Sequence, residues 1–591
     1  MTVKTTYFPL RGGLNLVTPW LEKGAGVLIA SQNYEAQVGG GYRSIDGYTL
    51  YDGSASPTVP AAVPGSGAIR GVHVFNNVLY AFRDNAGGTA CDMYKATSSG
   101  WAKQSLGWYI SFSTGSAVIS EGNTVTGATS GATGVVRRVA VVTGDWGGSP
   151  QASGRLTLSG VTGTFQSGEN LQVGGVTKAV STSLAIANTL PAGGRYEGIN
   201  HNFYGQSSSL RAYFVNGVGP AFEWDGTYFT PILTGSSPDN PRHIVAHSDH
   251  LFLGYAVGSV QHSSLGEPLV FNSLTGAGEI ALGDEVVGLH PIPGNVLALR
   301  CRNSLHLLYG NNASDFQKKT HSQVVGGEPY TGQVLGDAYF VDSNNIVGLT
   351  TTQNFGDFQS GSLSLPIEPF LKLYGPYAYC SSISRRKQQY RVFFAGGTGD
   401  FADGVGVYMT VSGGRMVGLM PVKFPDAVRA ICTGEDSMGG EVSFFGDAVG
   451  KVYQLDTGLM CDDEALTGFM RLTFHHFKNP AYRKRFRHAT FDMDVEDTIH
   501  LQMSADFDYS DPDIATHVVR YFDQDWGVGG LWDVSNWDEF YWDSKLVAEA
   551  NLDICGTGRN MALLIYNPGT SGGYHAINGV VVHYSDRRLV R

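Results

Sequence analysis

Apolar and polar residues alternate along most of this chain in short runs, and glycine or asparagine separates one run from the next. Residues 69–83, IRGVHVFNNVLYAFR, show the unit: two alternating stretches flank Asn76-Asn77. Alternation puts successive side chains on opposite faces of a strand, and an Asn pair suits the positive φ of a tight hairpin. The segment therefore predicts two half-buried strands joined by a turn. Residues 91–101 add a further strand and a Gly100-Trp101 corner, completing a four-stranded unit.

Similar units follow at 210–232, 243–271, 286–309, 336–351, 389–420 and 427–455, separated by corners such as Asn216-Gly217, Asp225-Gly226 and Gly446-Asp447. Strand-rich units recurring at roughly 40 residues predict a β-propeller, here of about six to eight blades, whose radial packing leaves little exposed strand edge. The repeat lacks the Gly-His and Trp-Asp signature of WD40 blades.

Two stretches depart from this texture. Residues 106–191 turn to small side chains, and SEGNTVTG at 120–127 resembles SGENLQVG at 167–174, each a turn leading into a strand. This predicts a small β-barrel or sandwich inserted at a surface corner of the propeller, where insertions are tolerated. After Asp456 the repeat ends, and residues 472–477, 489–495, 498–504 and 561–565 read as strands of a C-terminal β-sandwich. The segment IEPFLKL at 367–373 is the best candidate for a short helix.

The expected fold is thus all-β: a β-propeller with an inserted small β-barrel or sandwich domain and a C-terminal β-sandwich domain. Its expected divisions are an N-terminal arm with closing strands at 1–65, the propeller at 66–105 and 192–456, the insertion at 106–191, and the sandwich at 457–591. Residues 41–52, GYRSIDGYTLYD, are expected to close the propeller by stapling its first blade to its last. The residues up to about Leu28 are expected to be free to reach another subunit.

Composition fits this picture. Glycine supplies 79 of 591 residues, nearly twice its usual share of ~7%, while 42% of the chain is hydrophobic, enough to form cores. The net charge of -12 argues against general nucleic-acid binding, which needs a basic surface to displace counterions. No run of apolar residues is long enough to span a membrane, and MTVKTTYFPLRGG has no apolar core of a secretion signal, so assembly in the cytoplasm is expected. Cys91, Cys301, Cys380, Cys432, Cys461 and Cys555 show no metal-ligand spacing and are expected to be reduced core residues.

Chemistry-bearing motifs are sparse. The chain has no H-E-x-x-H, no Walker loop, no Rossmann turn and no strand-to-helix nucleophile elbow, so no catalytic, cofactor-binding or metal residue is assigned and no cofactor is expected. The acidic hairpin around Asp506, Asp508, Asp511 and Asp513 offers oxygen ligands that would suit Ca²⁺, yet without the Gly and Glu of an EF-hand loop it reads as a polar turn. Histidines 201, 243, 247, 250 and 262 gather in the middle blades and read as satisfied corner residues.

Residues 471–488, RLTFHHFKNPAYRKRFRH, carry Arg471, Lys478, Arg483, Lys484, Arg485 and Arg487 without one acid. Guanidinium forks favour an acidic neighbouring subunit or DNA phosphates, while a solvated strand face balanced by nearby acids is the plain alternative. Trp532, Trp537 and Trp542, each followed by Asp, recur every five residues, which fits neither helix nor strand. They are candidate aromatic contacts for protein or sugar, or else core filling.

Several pieces taken in order resemble the tail nozzle proteins of short-tailed bacteriophages. They begin with Gly-Gly-Leu-Asn at 12–15, Asn33-Tyr34-Glu35 and GGYRSIDGY at 40–48, and continue with NGVGPAFEWDGTYF at 216–229 and HLFLGYAVGSVQHSSLGEPLVF at 250–271. NSLHLLYG at 303–310, FGDF at 355–358, SLSLPIEPFL at 362–371, KNPAYRKRFRHATFDMDV at 478–495 and the Trp-Asp ribbon follow. The resemblance touches most of the chain except 106–191.

It implies a structural virion protein, not an enzyme. Six copies would form a ring below the portal and tail adaptor protein, continuing and gating the DNA channel during genome retention and ejection. Implied partners are the chain itself as a homohexamer, the adaptor, tail fibres or the host surface, and genomic DNA passing without sequence-specific binding. The implied location is the virion tail. A receptor- or glycan-binding tail propeller is the alternative, and a polysaccharide hydrolase the third reading.

Overall fold

The computed structural model describes residues 3–19, 21–54, 60–343, 345–351, 358–395, 404–495, 499–509, 520–524, 547–570 and 573–589. Its centre is a ring of seven sheets built on antiparallel strands, the second to sixth four-stranded, the first with five strands and the seventh with six. Their innermost strands, in order, are Ser66–Phe75, Glu197–His201, His243–His247, Val286–Ile292, Gln333–Leu335, Ala378–Ser384 and Ala430–Glu435. Each packs on the next, and Ala430–Glu435 packs back on Ser66–Phe75, so the propeller is closed.

The apolar side chains sort themselves into the gaps between blades. Phe75, Phe82, Tyr196, Phe214 and Phe222 fill the gap between the first and second blades, and Val72, Leu79, Tyr94, Phe444 and Val452 fill that between the seventh and the first. A strand buried on both faces needs apolar residues at most positions, which is why the second strands, such as His250–Tyr255 and Val296–Cys301, are buried throughout. Asn76 and Asn77 turn the first hairpin at φ of 47° and 60°, as a two-residue hairpin with positive φ requires.

The N-terminal segment does not stay together. Tyr48–Leu50 pairs antiparallel with Val452–Leu455 and supplies the fourth strand of the seventh blade, with Met460–Cys461 and Glu464–Ala465 beyond it. Tyr34–Ala36 and Tyr42–Ser44, by contrast, join the C-terminal sandwich, where Tyr42–Ser44 pairs with His575–Leu589. The expectation of a free N-terminus is overturned: Lys4–Pro9 pairs along its whole length with His575–Leu589, and Leu10, Leu14 and Leu28 lie in the core. Apolar burial and a complete ladder of backbone hydrogen bonds hold it within its own chain.

The sandwich has two sheets. One orders Tyr34–Ala36, Tyr42–Ser44, His575–Leu589, Tyr482–Val495 and Val547–Gly558; the other orders Leu28–Gln32, Gly468–Leu472, Met561–Asn567, Ile499–Phe507 and Arg520–Gln524. Residues 473–477, expected as strand, form none. The sandwich seats on the sixth blade, where Leu28–Gln32 and Tyr34–Ala36 lie against Arg415–Lys423. Gly13, at φ +67°, meets the backbone of Gly418 so closely that a Cβ would sit 2.8 Å from its Cα. The sandwich core and the gap between the fifth and sixth blades form one continuous apolar cluster.

The insertion closes into a barrel through Trp108–Gly115, Ala152–Thr162, Thr133–Thr143, Thr124–Gly127, Asn170–Val173 and Val176–Ser181, back to Trp108–Gly115. The two look-alike sequences are neighbours in it, with Val125 opposite Val173. Arg138 fixes the barrel to the second blade through an ion pair with Glu223 at 2.9 Å and by stacking on Tyr204. One α-helix is present among the described residues, Glu368–Tyr374, where IEPFLKL suggested one. Cys91, Cys301, Cys380 and Cys461 are buried and Cys432 half-buried, but Cys555 is exposed, contrary to its expected core position.

Candidate functional site

A cluster of polar and aromatic side chains lies at one mouth of the propeller channel, where the connections into the innermost strands meet. Arg195, just ahead of the second blade's inner strand, reaches across to residues preceding the fifth and opening the sixth. Its guanidinium carbon lies 4.1 Å from the ring centre of Tyr330 and 4.6 Å from that of Tyr379, and Nη1 donates to the Tyr379 carbonyl. Cation–π contacts of this kind, partly desolvated, contribute about 1–2 kcal/mol each.

Tyr330 holds φ at +61°, a backbone conformation that costs a bulky residue on the order of 1–3 kcal/mol and concentrates at functional positions. Burial pushes its hydroxyl far above the ordinary tyrosine value. His243 stands beside it, 4.9 Å between ring centres, with Nδ1 2.8 Å from Glu197 Oε2. Arg195, Arg242, Asn216, Tyr330 and Tyr379 line a pocket of about 300 Å³ at this mouth. The arrangement is suited to binding a polar or anionic group against aromatic faces.

Of the basic segment, Arg471 and Lys484 turn inward. Arg471, 3% exposed, donates to Asp506 Oδ2 at 2.6 Å. Lys484, fully buried, donates through Nζ to the carbonyls of Asn479, Tyr482 and Arg559 at 2.6, 2.9 and 3.0 Å, and burial lowers its pKa. Both are thereby removed from the set of contact residues. A buried cation is retained where its donors are satisfied internally.

Arg483, Arg485 and Arg487 remain exposed on one face of Tyr482–Val495, as the two-residue period of a strand dictates, and Lys478 is exposed in the turn before it. Arg483 lies 3.5 Å from Asp508. Trp532, Trp537, Trp542, Asp511 and Asp513 lie outside the described residues.

His250 Nδ1 approaches the Ser263 carbonyl at 2.6 Å, and its ring packs edge-on to His262. Among the described residues no three His, Cys, Asp or Glu side chains are placed to hold a metal ion. Arg195, Tyr330 and Tyr379 were not legible as a site, because four blades contribute to the pocket and no local spacing links them. The recurring start of each inner strand was the one usable signal.

No family model and no curated protein matches the chain. Among solved structures it is similar to virginiamycin B lyase from Staphylococcus aureus, at 10% identity over 57% of this chain and 95% of that one, with a TM-score of 0.30. The WD40 domain of Toxoplasma gondii coronin aligns at 9% identity over 72% and 86%, TM-score 0.34, and YCF48 bound to D1 peptide at 11% over 60% and 99%, TM-score 0.29. Likeness at this level says nothing about activity.

Proposed function

We propose that this chain is a structural virion protein, six copies of which form the nozzle of a short phage tail and continue and gate the DNA channel below portal and adaptor. The observation that carries the reading, beside the ordered sequence resemblance, is that both ends of the chain are woven into one sandwich seated on a closed propeller. That construction gives a stiff wall element with few open strand edges. Arg195 spans the mouth of the propeller's own channel, so the genome path in this reading is the axis of the ring of copies. The charge of -12 offers DNA few cationic traps.

In this reading the protein works without turnover, and Lys478, Arg483, Arg485 and Arg487 face an acidic surface of the adjoining copy. Imaging of assembled tails tests it: a six-fold ring of this chain below the adaptor is expected, and another symmetry, or tails that retain DNA without the protein, overturns it.

The pocket of Arg195, Tyr330 and Tyr379 favours a second reading, a receptor- or glycan-binding propeller. Glycan binding abolished by Tyr379→Ala, with the fold intact, would favour this reading over the first.

A further inference from the structure

Exposed charges on the sandwich and on the blade beside it are separated by sign. Lys478, Arg483, Arg485 and Arg487 are exposed at the beginning of Tyr482–Val495 and in the turn before it. Among the described residues Asp508, 3.5 Å from Arg483, is the one acid within ion-pair reach of these four. Both members of that pair are well exposed, so water and salt screen it and the row stays strongly positive.

The opposite sign lies on the rim of the seventh blade. Met460–Cys461 pairs with Glu464–Ala465 as a hairpin at the edge of that sheet, and Asp462 and Asp463 turn it at φ of 45° and 70°. Such a turn holds its residues in one tight backbone conformation. Asp463 and Glu464 are exposed, and Met460 beside them is 44% exposed. Lys451, 3.5 Å from Asp462, is the one cation within ion-pair reach of the turn among the described residues.

The two patches occupy opposite ends of the sandwich. Tyr574 Oη donates to the Gly458 carbonyl at 2.9 Å, and a Cβ on Gly569 would lie 3.0 Å from the Ala465 Cβ, which places the acidic hairpin against residues 569–574. The next residue, His575, pairs with Val495, the last of its strand. Arg487 and Arg483 lie eight and twelve positions before Val495, about 25–40 Å at the ~3.3 Å rise of a strand. Charges are screened over ~8 Å in physiological salt, so neither patch neutralises the other within one chain. Opposite signs at opposite ends complement each other head to tail between copies, and heterologous contacts of that kind close into rings.

We propose that the turn Asp462-Asp463-Glu464 of one copy is the acidic surface that meets Lys478, Arg483, Arg485 and Arg487 of the next. Asp463 and Glu464 supply the carboxylates, which guanidinium forks bind with two parallel hydrogen bonds. The inference rests on the reading of the chain as a ring-forming tail protein and adds which surface the basic row faces.

Sedimentation velocity of the full chain over a range of concentrations, at low and high salt, tests it by exchange of charge. Arg483→Glu/Arg485→Glu/Arg487→Glu and, separately, Asp463→Lys/Glu464→Lys are each expected to raise the concentration needed for association by about tenfold or more. The chain carrying all five changes is expected to associate again, because the attraction returns with its signs exchanged, and high salt is expected to weaken it as it weakens the parent. All five side chains are exposed, and unchanged thermal unfolding shows that the fold is kept; should a reversed variant not fold, Asp463→Asn/Glu464→Gln is read instead, with weaker association expected. Association unchanged by the acidic variants, no recovery in the five-residue variant, or a parent that stays monomeric at low salt overturns the pairing. A six-fold ring on tails beside unaffected acidic variants would refute this contact and leave the nozzle reading standing, whereas recovery by charge exchange in an assembly of another symmetry would uphold the contact and refute the nozzle.

Discussion

Arg391 holds Asp456 through two hydrogen bonds, Nη1 to Oδ2 at 2.6 Å and Nη2 to Oδ1 at 3.0 Å, at the point where the chain leaves the seventh blade for the sandwich. Lys387 Nζ joins them, 3.1 Å from Asp456, 2.6 Å from Asp46 and 3.2 Å from Glu35. Arg43 pairs with Glu35 at 3.1 Å and Asp46 at 2.8 Å. Three cations and three carboxylates thus tie the N-terminal arm, the sixth blade and the exit from the seventh together. Their charges balance, so burial does not leave one of them alone.

Asp456→Asn leaves the fully buried Arg391 without its anion and is expected to cost about 3–5 kcal/mol in urea unfolding, much more than the paired replacement Arg391→Met/Asp456→Leu. The adjacent cations hold the Asp456 carboxyl far below the ordinary range. Its contribution is therefore complete above the unfolded value of about 4 and declines as pH falls toward the folded one. The stability of Asp456→Asn should fall less steeply than the parent's below pH ~4.

Acid should also loosen the arm at a higher pH. Tyr34 Oη and His575 Nε2 share a hydrogen bond of 2.9 Å, and His475 Nδ1 accepts from the Phe477 amide at 3.0 Å beside Phe8. Burial lowers each ring to about 4. A depressed histidine value means that the unfolded chain takes up the proton first, so stability present above pH ~6.5 is lost as pH falls toward the folded value. For buried His575 this is on the order of 3 kcal/mol. His575→Gln should flatten the profile between these limits, read as hydrogen exchange of residues 4–9 and 575–589; an unchanged slope would refute the assignment.

Deleting residues 1–28 is expected to damage the sandwich and not merely assembly. It exposes the edge of His575–Leu589 and empties the places of Leu10, Leu14 and Leu28, each worth roughly 2–3 kcal/mol of burial. Calorimetry should show the sandwich transition lowered or lost while a propeller transition persists.

The basic segment should divide by burial. Arg483→Glu, Arg485→Glu and Arg487→Glu are expected to change monomer stability by no more than about 0.5 kcal/mol each while weakening self-association. Lys484→Met leaves three carbonyls without their donor and is expected to cost several kcal/mol, on the order of 1–3 for each carbonyl. Denaturant titration beside native mass measurement separates the two effects.

Alternation in segments such as 69–83, with Asn76-Asn77 between, was enough to read strands, hairpins and the repeated unit, because these depend on neighbours within a few residues. The small-residue texture of 106–191 marked the barrel for the same reason. The division of residues 34–50 between sandwich and seventh blade was not legible, since Tyr42 and Tyr48 carry the same local preference for a strand. Arg471 and Lys484 likewise look no different in sequence from Arg483 and Arg485, although for Lys484 the strand period, once its register is known, separates the buried face from the exposed one.

The sequence by itself determined an all-β chain of repeated hairpins, with an insertion, a change of texture after Asp456 and a net charge of -12. Only the tertiary structure decided that the ring closes at seven blades, that the first strand pairs with the last, and that Arg195, Tyr330 and Tyr379 meet. Local pattern sets what each segment forms, but which segments pair depends on packing between residues hundreds of positions apart. No local period records those distances.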